Sequence, residues 1–267
     1  MHFHLLPGVD DGPGDVEGSL ELAAAALADG TVRVIATPHV RPEFVTDVGA
    51  LPARVRELQD RLAREGLPLT LECGGELGHE MVGRLGHREL ETIAFGPLGV
   101  RWILLETPFE GLDAGFHLAA DELRARGFGV VLAHPERAAG ILDHGAPGLC
   151  RELARGSVLQ VNVWSLLGGY SLESKAAGER LVGLGLAATL ATDAHPGWRR
   201  PHLQAGLEAA ARLNPALDLG RRTTVGIDHL SGLFARQRRM PERQLGDYRA
   251  KLSAAPEPVT PPAERAA

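Results

Sequence analysis

The sequence predicts an α/β protein whose parallel sheet closes, or nearly closes, into a barrel. Short β-like apolar runs alternate with longer helical ones, and each of seven short runs is followed by at least one helical run. Regular βα alternation implies a parallel sheet, and seven units favour closure over an open sheet. The chain has 267 residues, longer than an ordinary domain, but α/β barrels of roughly 250 residues fold as one unit. It is 44% hydrophobic and 23% charged, with only 4% aromatic residues. Such a composition builds a sizeable core, mostly of Ala, Leu and Val.

Taken in order, His2–Leu6 reads as the first strand, ended by Pro7-Gly8. Asp15–Asp29 reads as a helix, with Val16, Leu20, Ala23 and Leu27 on one stripe and Gly30 as its stop. Val32–Ala36 is a strand running into Thr37-Pro38-His39, and Gly49–Glu65 a helix with Leu51, Val55, Leu58 and Leu62 at helical spacing. Leu67–Cys73 is a strand ending in Gly74-Gly75-Glu76, and His79–Leu85 a short helix. Trp102–Leu105 is a strand ending in Glu106, followed by a helix over Ala114–Arg126. Phe128–Ala133 is a strand ending in His134-Pro135-Glu136-Arg137, followed by a helix over Pro147–Arg155. Val158–Val161 leads to Asn162 and a helix over Glu173–Leu184. Ala187–Ala191 leads to Thr192-Asp193-Ala194-His195 and a helix over Pro201–Leu213. The domain is expected to span residues 1–235, with a C-terminal extension over 236–267. From Ala254 the Pro-rich stretch Pro256–Pro262 reads as a disordered tail.

The net charge is −6, and Lys175 and Lys251 are the only lysines. With no basic tract, neither a nucleic acid nor a membrane surface is expected as partner. Cys73 and Cys150 are the only cysteines and form no CxxC pair, so a zinc ribbon or disulfide framework is not expected. A reduced, cytoplasmic setting is the simplest expectation. No signal-peptide pattern and no run of 18 apolar residues is present.

Candidate functional residues gather at strand ends. His2 and His4 are two apart, so a strand presents both imidazoles on one face. His39, His134 and His195 follow strands, Glu76, Glu106 and Asp193 lie at strand ends, and Asp11 comes from the first loop. Singly, each is more often a surface or capping residue. Jointly they place nine metal-type ligands on the C-terminal rim, where such barrels build active sites. Nine exceed the need of one tetrahedral ion and suit two or three ions sharing carboxylates. A His/carboxylate set suits Zn, Mn or Fe, with oxygen ligands leaning toward Mn.

Arg137, Arg199, Arg200 and Arg41 lie close after these residues, and guanidinium forks match phosphate oxygens. His79, His87, His117, His144 and His229 lie in helical or loop stretches and read as surface residues. Cys73 and Cys150 read as buried thiols. Six positions beyond them stand His79 and Gly156, not Arg, which excludes the Cys-x5-Arg loop of thiol-dependent phosphatases. Gly74-Gly75 and Gly168-Gly169 read as turns.

The chain resembles the PHP (polymerase and histidinol phosphatase) superfamily. Within it, the chain is similar to the bacterial protein-tyrosine phosphatases of capsular and exopolysaccharide gene clusters. The resemblance runs from His2 to about His202. It rests on His2-Phe3-His4, Leu6-Pro7-Gly8-Val9-Asp10-Asp11-Gly12-Pro13, Ala36-Thr37-Pro38-His39, Gly75-Glu76, Leu105-Glu106, Ala133-His134-Pro135-Glu136-Arg137 and Ala191-Thr192-Asp193-Ala194-His195.

The resemblance implies a distorted (β/α)7 barrel holding three ions, usually manganese. It implies His2, His4, Glu76 and Asp193 around the first, Glu76, Glu106 and His134 around the second, and Asp11, His39 and His195 around the third. Arg137 and one of Arg199 and Arg200 would bind phosphate; a shortened loop after His195 leaves that pair equivalent. Asn214-Pro215 comes earlier than the family's usual pair, so different C-terminal packing is expected.

The activity so implied is hydrolysis of phosphotyrosine on a protein by metal-activated hydroxide, linked to capsule or exopolysaccharide regulation, with a bacterial tyrosine kinase as partner. A phenolate leaves with a pKa near about 10, so weak acid assistance suffices; Asp10 and His202 are candidates for it. One alternative is a superfamily phosphatase acting on histidinol phosphate or a nucleotide, but the first loop lacks their Ser-x-Asp-Gly pattern. The other is a non-catalytic metal-binding regulatory module, which lost ligands would mark; every ligand position is occupied.

Overall fold

A computed structural model of the protein describes residues 1–97, 99–217 and 242–254. The expected boundary at 235, the expected tail beyond 254 and His229 lie outside the described residues. The strands are β1 (Arg33–Ala36), β2 (His39–Val40), β3 (Thr70–Cys73), β4 (Glu76–Leu77), β5 (Trp102–Glu106), β6 (Gly129–Ala133), β7 (Val158–Asn162) and β8 (Ala187–Ala191). The α-helices are α1 (Val16–Ala28), α2 (Leu51–Arg64), α3 (His87–Ile93), α4 (Ala114–Ala125), α5 (Pro147–Ala154), α6 (Val163–Leu166), α7 (Leu172–Gly183), α8 (Leu203–Leu213) and α9 (Glu242–Ser253).

The fold is a mixed α/β one on a parallel sheet. Strands β2-β4-β5-β6-β7-β8 pair in that order, and β1 pairs with β3. The ladder between the two groups is continuous. Gly74 N–H donates to Ala36 O at 3.0 Å and Glu76 N–H to Pro38 O at 3.0 Å, so β1–β2 and β3–β4 are each one strand with a break. Pro38 causes the first break, because it has no N–H to give. Gly74-Gly75 form the second, which corrects the reading of that pair as a turn. A Cβ on Gly74 would sit 2.5 Å from Ile35 Cγ2, and one on Gly75 2.9 Å from Val40 Cγ2. Only glycine lets the two strands and Ile93 approach so closely.

The expected strand at His2–Leu6 is reduced to one bridge, Phe3 to Ala194. Its neighbours explain the difference. His4 N–H donates to Ala194 O at 3.2 Å and Asp193 N–H to His2 O at 3.0 Å. On the other side Thr37 N–H donates to Phe3 O at 2.9 Å, but Phe3 N–H finds the Thr37 hydroxyl, at 3.0 Å, instead of a carbonyl. The segment thus spans the gap between β8 and β1 without a full ladder on either edge.

Two apolar clusters follow from the period of two in β5. Ile103 and Leu105 join the large cluster shared with the helices, including Leu22, Leu58 and Phe116. Trp102 and Leu104 point the other way, into a small cluster with Ile35, Phe95, Val131 and Ala133. Glu106 shares the face of Trp102 and Leu104. The candidate site therefore lies over the small cluster, at the C-terminal ends of the strands. Helix α9 falls within the expected extension; its Leu252 is buried in the large cluster, and Arg180 donates to Ala254 O at 2.8 Å.

Candidate metal centre

Strand register sets the site. His39 pairs with Glu76, and Glu76 with Leu104, while Glu106 pairs with Ala133, the residue before His134. Side chains at the same height on neighbouring strands meet. His134 and Asp193, each just past a strand, adopt left-handed backbones with φ of 35° and 46°. Such strain costs roughly 1–3 kcal/mol per non-glycine residue and clusters at functional sites. Here it turns both side chains inward.

All nine predicted ligands come together. His2 Nε2 lies 3.1 Å from His4 Nε2, and both lie 3.1–3.3 Å from Glu76 Oε2 and Asp193 Oδ1. Ligand atoms of His4, Asp11, His39 and His195 form a second group, and those of His39, Glu76 and Glu106 a third. His134 Nε2 reaches the other Glu76 oxygen at 2.8 Å. The grouping differs in three places from that implied by resemblance, one being that His134 does not join the Glu76–Glu106 group. His39 stands with Glu76 and Glu106, and His4 joins the set around Asp11.

Tautomers follow from the partners of the far nitrogens. His2 Nδ1–H donates to Gln160 Oε1 at 2.9 Å and His4 Nδ1–H to Asp10 Oδ2 at 2.7 Å. His195 Nδ1–H donates to Asp193 O at 2.9 Å. Each bond leaves the Nε2 lone pair aimed at the carboxylates, the arrangement found where imidazoles bind metals. Lone pairs facing carboxylates repel unless a cation or proton lies between them. Two atoms about 2.1 Å from one ion at a tetrahedral angle are about 3.4 Å apart, close to the separations around Glu76 and Asp193. His39 Nδ1 and Glu76 Oε2, 3.1 Å apart, are buried without hydrogen-bond partners, a costly state that metal binding would relieve. The residues therefore fit divalent cations.

The electrostatics agree. Burial alone would raise the Glu76 carboxyl, but the neighbouring His2 and His39 pull it well below its usual range. Asp193, likewise opposed by burial, is held down by His2, His4 and Arg199. Burial and the Glu76 charge push Glu106 up to about 8, against the pull of Arg41. Burial drops His134 to about 4 despite Glu76, so its imidazole is neutral and free to ligate at neutral pH.

The structure separates the arginines. Arg199 Nη1 lies 2.8 Å and Arg137 Nη1 3.3 Å from Asp193 Oδ2. Arg137 is sandwiched between Phe109 and Tyr170, 4.6 and 4.1 Å from their ring centres. Arg41 Nη1 reaches Glu106 at 3.0 Å. Arg200 is exposed, whereas the contact with Asp193 is made by Arg199.

Sequence reading missed Gln160 and Asn162, whose amide reaches Asp193 Oδ2 at 2.9 Å. A signal was present, since both are polar residues two apart on an otherwise apolar strand. Asp10 is tied to His4, His39 N–H and Gly12 N–H. Those bonds overcome burial and lower its pKa. Its Oδ2 lies 2.7 Å from His4 Nδ1, so Asp10 orients that imidazole. His202 stacks on Trp164 with ring centres 5.3 Å apart. His117 is buried, not a surface residue, because Nδ1 lies 2.6 Å from the buried Glu152. Cys150 is buried, and Cys73 only partly so.

Comparison with known proteins places this geometry. The family described as capsular polysaccharide synthesis, CpsB/CapC, matches residues 1–214. Tyrosine-protein phosphatase YwqE of Bacillus subtilis (strain 168) is 34% identical over 202 residues, 73% of this chain and 76% of that protein. CapC of Staphylococcus aureus is 28% identical over 207 residues, 76% of this chain and 79% of that protein. A solved structure from work on YwqE and on CpsB from Streptococcus pneumoniae, described as metal-dependent tyrosine phosphatases, matches with a TM-score of 0.72. It is 28% identical and covers 89% of this chain and 94% of that chain.

Proposed function

The chain belongs to the capsular polysaccharide synthesis CpsB/CapC family, and on that premise we propose that it is a metal-dependent protein-tyrosine phosphatase. The observation that carries the reading is the convergence of His2 Nε2, His4 Nε2, Glu76 Oε2 and Asp193 Oδ1 within 3.1–3.3 Å contacts, with two arginines on the same Asp193. The site would take three ions, with manganese the first choice and zinc or iron the alternatives. His2, His4, Glu76 and Asp193 would hold the first. Glu76, Glu106 and His39, with His134 beside Glu76, would hold the second, and Asp11, His4, His39 and His195 the third. The sheet, bridged from β8 to β1 by Phe3, is read as the distorted (β/α)7 barrel of the PHP type, spanning residues 1–235 before a C-terminal extension.

Bound divalent metal supplies water acidified toward neutral pH and positive charge beside the phosphoryl oxygens. The chain supplies the rest. Arg137 and Arg199 share one carboxylate oxygen and retain N–H groups for a phosphate dianion. Phe109 and Tyr170 hold the Arg137 plane in place. Gln160, Asp10 and the Asp193 carbonyl fix the three imidazoles. No nucleophilic role is assigned to the Cys73 thiol, which burial pushes up to about 11.

The substrate would be a phosphotyrosine protein, with a bacterial tyrosine kinase of capsule or exopolysaccharide synthesis as the natural partner. A cytoplasmic location accords with that partner. No described helix is long and apolar enough to cross a membrane. The test is hydrolysis by manganese-loaded protein of phosphotyrosine peptide, phosphoserine peptide and histidinol phosphate. Phosphotyrosine should be fastest by far; histidinol phosphate in first place would move the assignment to that branch. Elemental analysis should find more than one transition-metal ion per chain, and full activity after complete chelation would refute the metal mechanism.

A further inference from the structure

Aromatic residues are scarce here, yet the large exposed ones stand at one place. Among the described residues the exposed aromatic side chains are Phe44 (41%), Phe109 (45%) and Trp198 (62%). Each comes from a different loop following candidate metal residues. Phe44 follows His39, Phe109 follows Glu106, and Trp198 follows His195. Each also rests on a residue of the site. The Phe44 ring stacks on His39 with centres 5.4 Å apart and planes at 20°. Phe109 stacks on His134 at 6.0 Å and 21°. Trp198 lies 5.7 Å from the Arg199 guanidinium carbon and meets Tyr170 edge-on, 5.8 Å between centres.

Exposed apolar rings grouped at a site mark a binding surface. Beneath them His2, His4 and Glu76 are fully buried. A substrate whose phosphate meets Arg137 and Arg199 while its body touches these rings needs length and an apolar face. An aryl group meets both conditions, because its faces and edges match the offset and edge-on packing that aromatic side chains favour. A single methylene, as in an alkyl phosphate of a serine, meets neither. Phe109 also borders a cavity of about 560 Å³ that includes Arg137, so the chain flanking the aryl group has room beside the ring.

We infer that Phe44, Phe109 and Trp198 form an aryl-binding collar that makes the site select aryl over alkyl phosphate monoesters. The inference rests on the phosphomonoesterase reading, and its test is binding, not turnover. Manganese-loaded protein is titrated calorimetrically with phenylphosphonate and with methylphosphonate, neither of which is hydrolysed. The wild type should prefer the phenyl compound. Phe44→Ala, Phe109→Ala and Trp198→Ala should each lower that preference about three- to tenfold. Methylphosphonate affinity and metal content should stay unchanged in Phe44→Ala and Trp198→Ala; Phe109→Ala, which also frees one face of Arg137, should weaken both ligands but phenylphosphonate more, and Phe109→Tyr should restore the preference. A wild-type preference near one, an unchanged preference in all three Ala variants, or equal loss for both ligands would overturn the collar. If the preference behaves as expected but phosphotyrosine peptide is not hydrolysed, the phosphatase reading fails and the collar stands.

Discussion

His4 Nδ1 lies 2.7 Å from Asp10 Oδ2, and the Asp10 side chain is fully buried. The other Asp10 oxygen accepts from Gly12 N–H at 2.9 Å, so the carboxylate is fixed before it fixes His4. Removing such a partner typically costs 10- to 100-fold in metal affinity. Asp10→Ala should therefore weaken manganese binding by about that factor while leaving the Arg137 contacts in place. Competition against a metal-sensitive dye checks it; unchanged affinity would show that Asp10 has no part in orienting the imidazole.

Arg137 and Arg199 make opposite predictions to Arg200. A guanidinium stays protonated and has no lone pair for a metal, so Arg137→Ala should retain its metals. Losing one charge-assisted phosphate contact should lower kcat/KM by about 30- to 1,000-fold, or about 2–4 kcal/mol of transition-state stabilisation. Arg199→Ala should show a comparable loss. Arg200 is exposed, and Arg200→Ala should stay within about twofold of wild type. Kinetics with parallel metal analysis decides; a large loss at Arg200 would place the phosphate on the wrong side of the loop.

The strands β5 to β8 and the longer helices were legible because each carries enough residues to show a period. Asp15 caps α1 through a bond to Gly18 N–H at 2.8 Å, close to the start the sequence marked. His39–Val40 and Glu76–Leu77 were not seen as strands. Two residues show no alternation, and Pro38 and Gly74-Gly75 look like punctuation. Helices α3 and α6 are too short to betray a stripe. The gathering of the nine candidate positions was legible because most of them lie at strand ends. Their grouping was not, because it depends on how far each side chain reaches across the rim. His39 reaches Glu76 Oε2 at 3.1 Å, which no spacing encodes. Glu136, in the run after β6, is 1% exposed; local sequence cannot show that Ser165 and Asn162 wait inside to receive it.

Cys73 offers a chemical check. Its thiol is pushed up to about 11 by burial, and the thiolate is the reactive form. Alkylation by iodoacetamide should be slow at pH 8 and accelerate through pH 10–11. Cys73→Ser should retain hydrolysis near the wild-type rate. Rapid alkylation at neutral pH with matching loss of activity would contradict both statements.

Glu136 predicts a pH dependence of stability. Its Oε1 accepts from Asn162 N–H at 2.9 Å and Ser165 Oγ–H at 2.7 Å, holding the start of α6 beneath the site. Burial outweighs those bonds and pushes the carboxyl up to about 7, against about 4.3 in an unfolded chain. A raised carboxyl pKa means that the folded state binds the extra proton. The unfolded state binds fewer protons between about pH 4 and 7, so stability from this group is full below that window and is lost as pH rises through it. The full loss should be about 3–4 kcal/mol, of which about 2–3 kcal/mol falls between pH 5 and pH 8. Glu136→Gln keeps the accepting oxygen and cannot ionise. Relative to it, metal-free wild type should lose stability from pH 5 to pH 8. Glu136→Ala removes the acceptor and should be less stable than Glu136→Gln by about 1–3 kcal/mol at both pH values, since neither variant ionises. Urea unfolding of the three proteins at both pH values measures this. A constant gap between wild type and Glu136→Gln would mean that the buried carboxyl titrates normally.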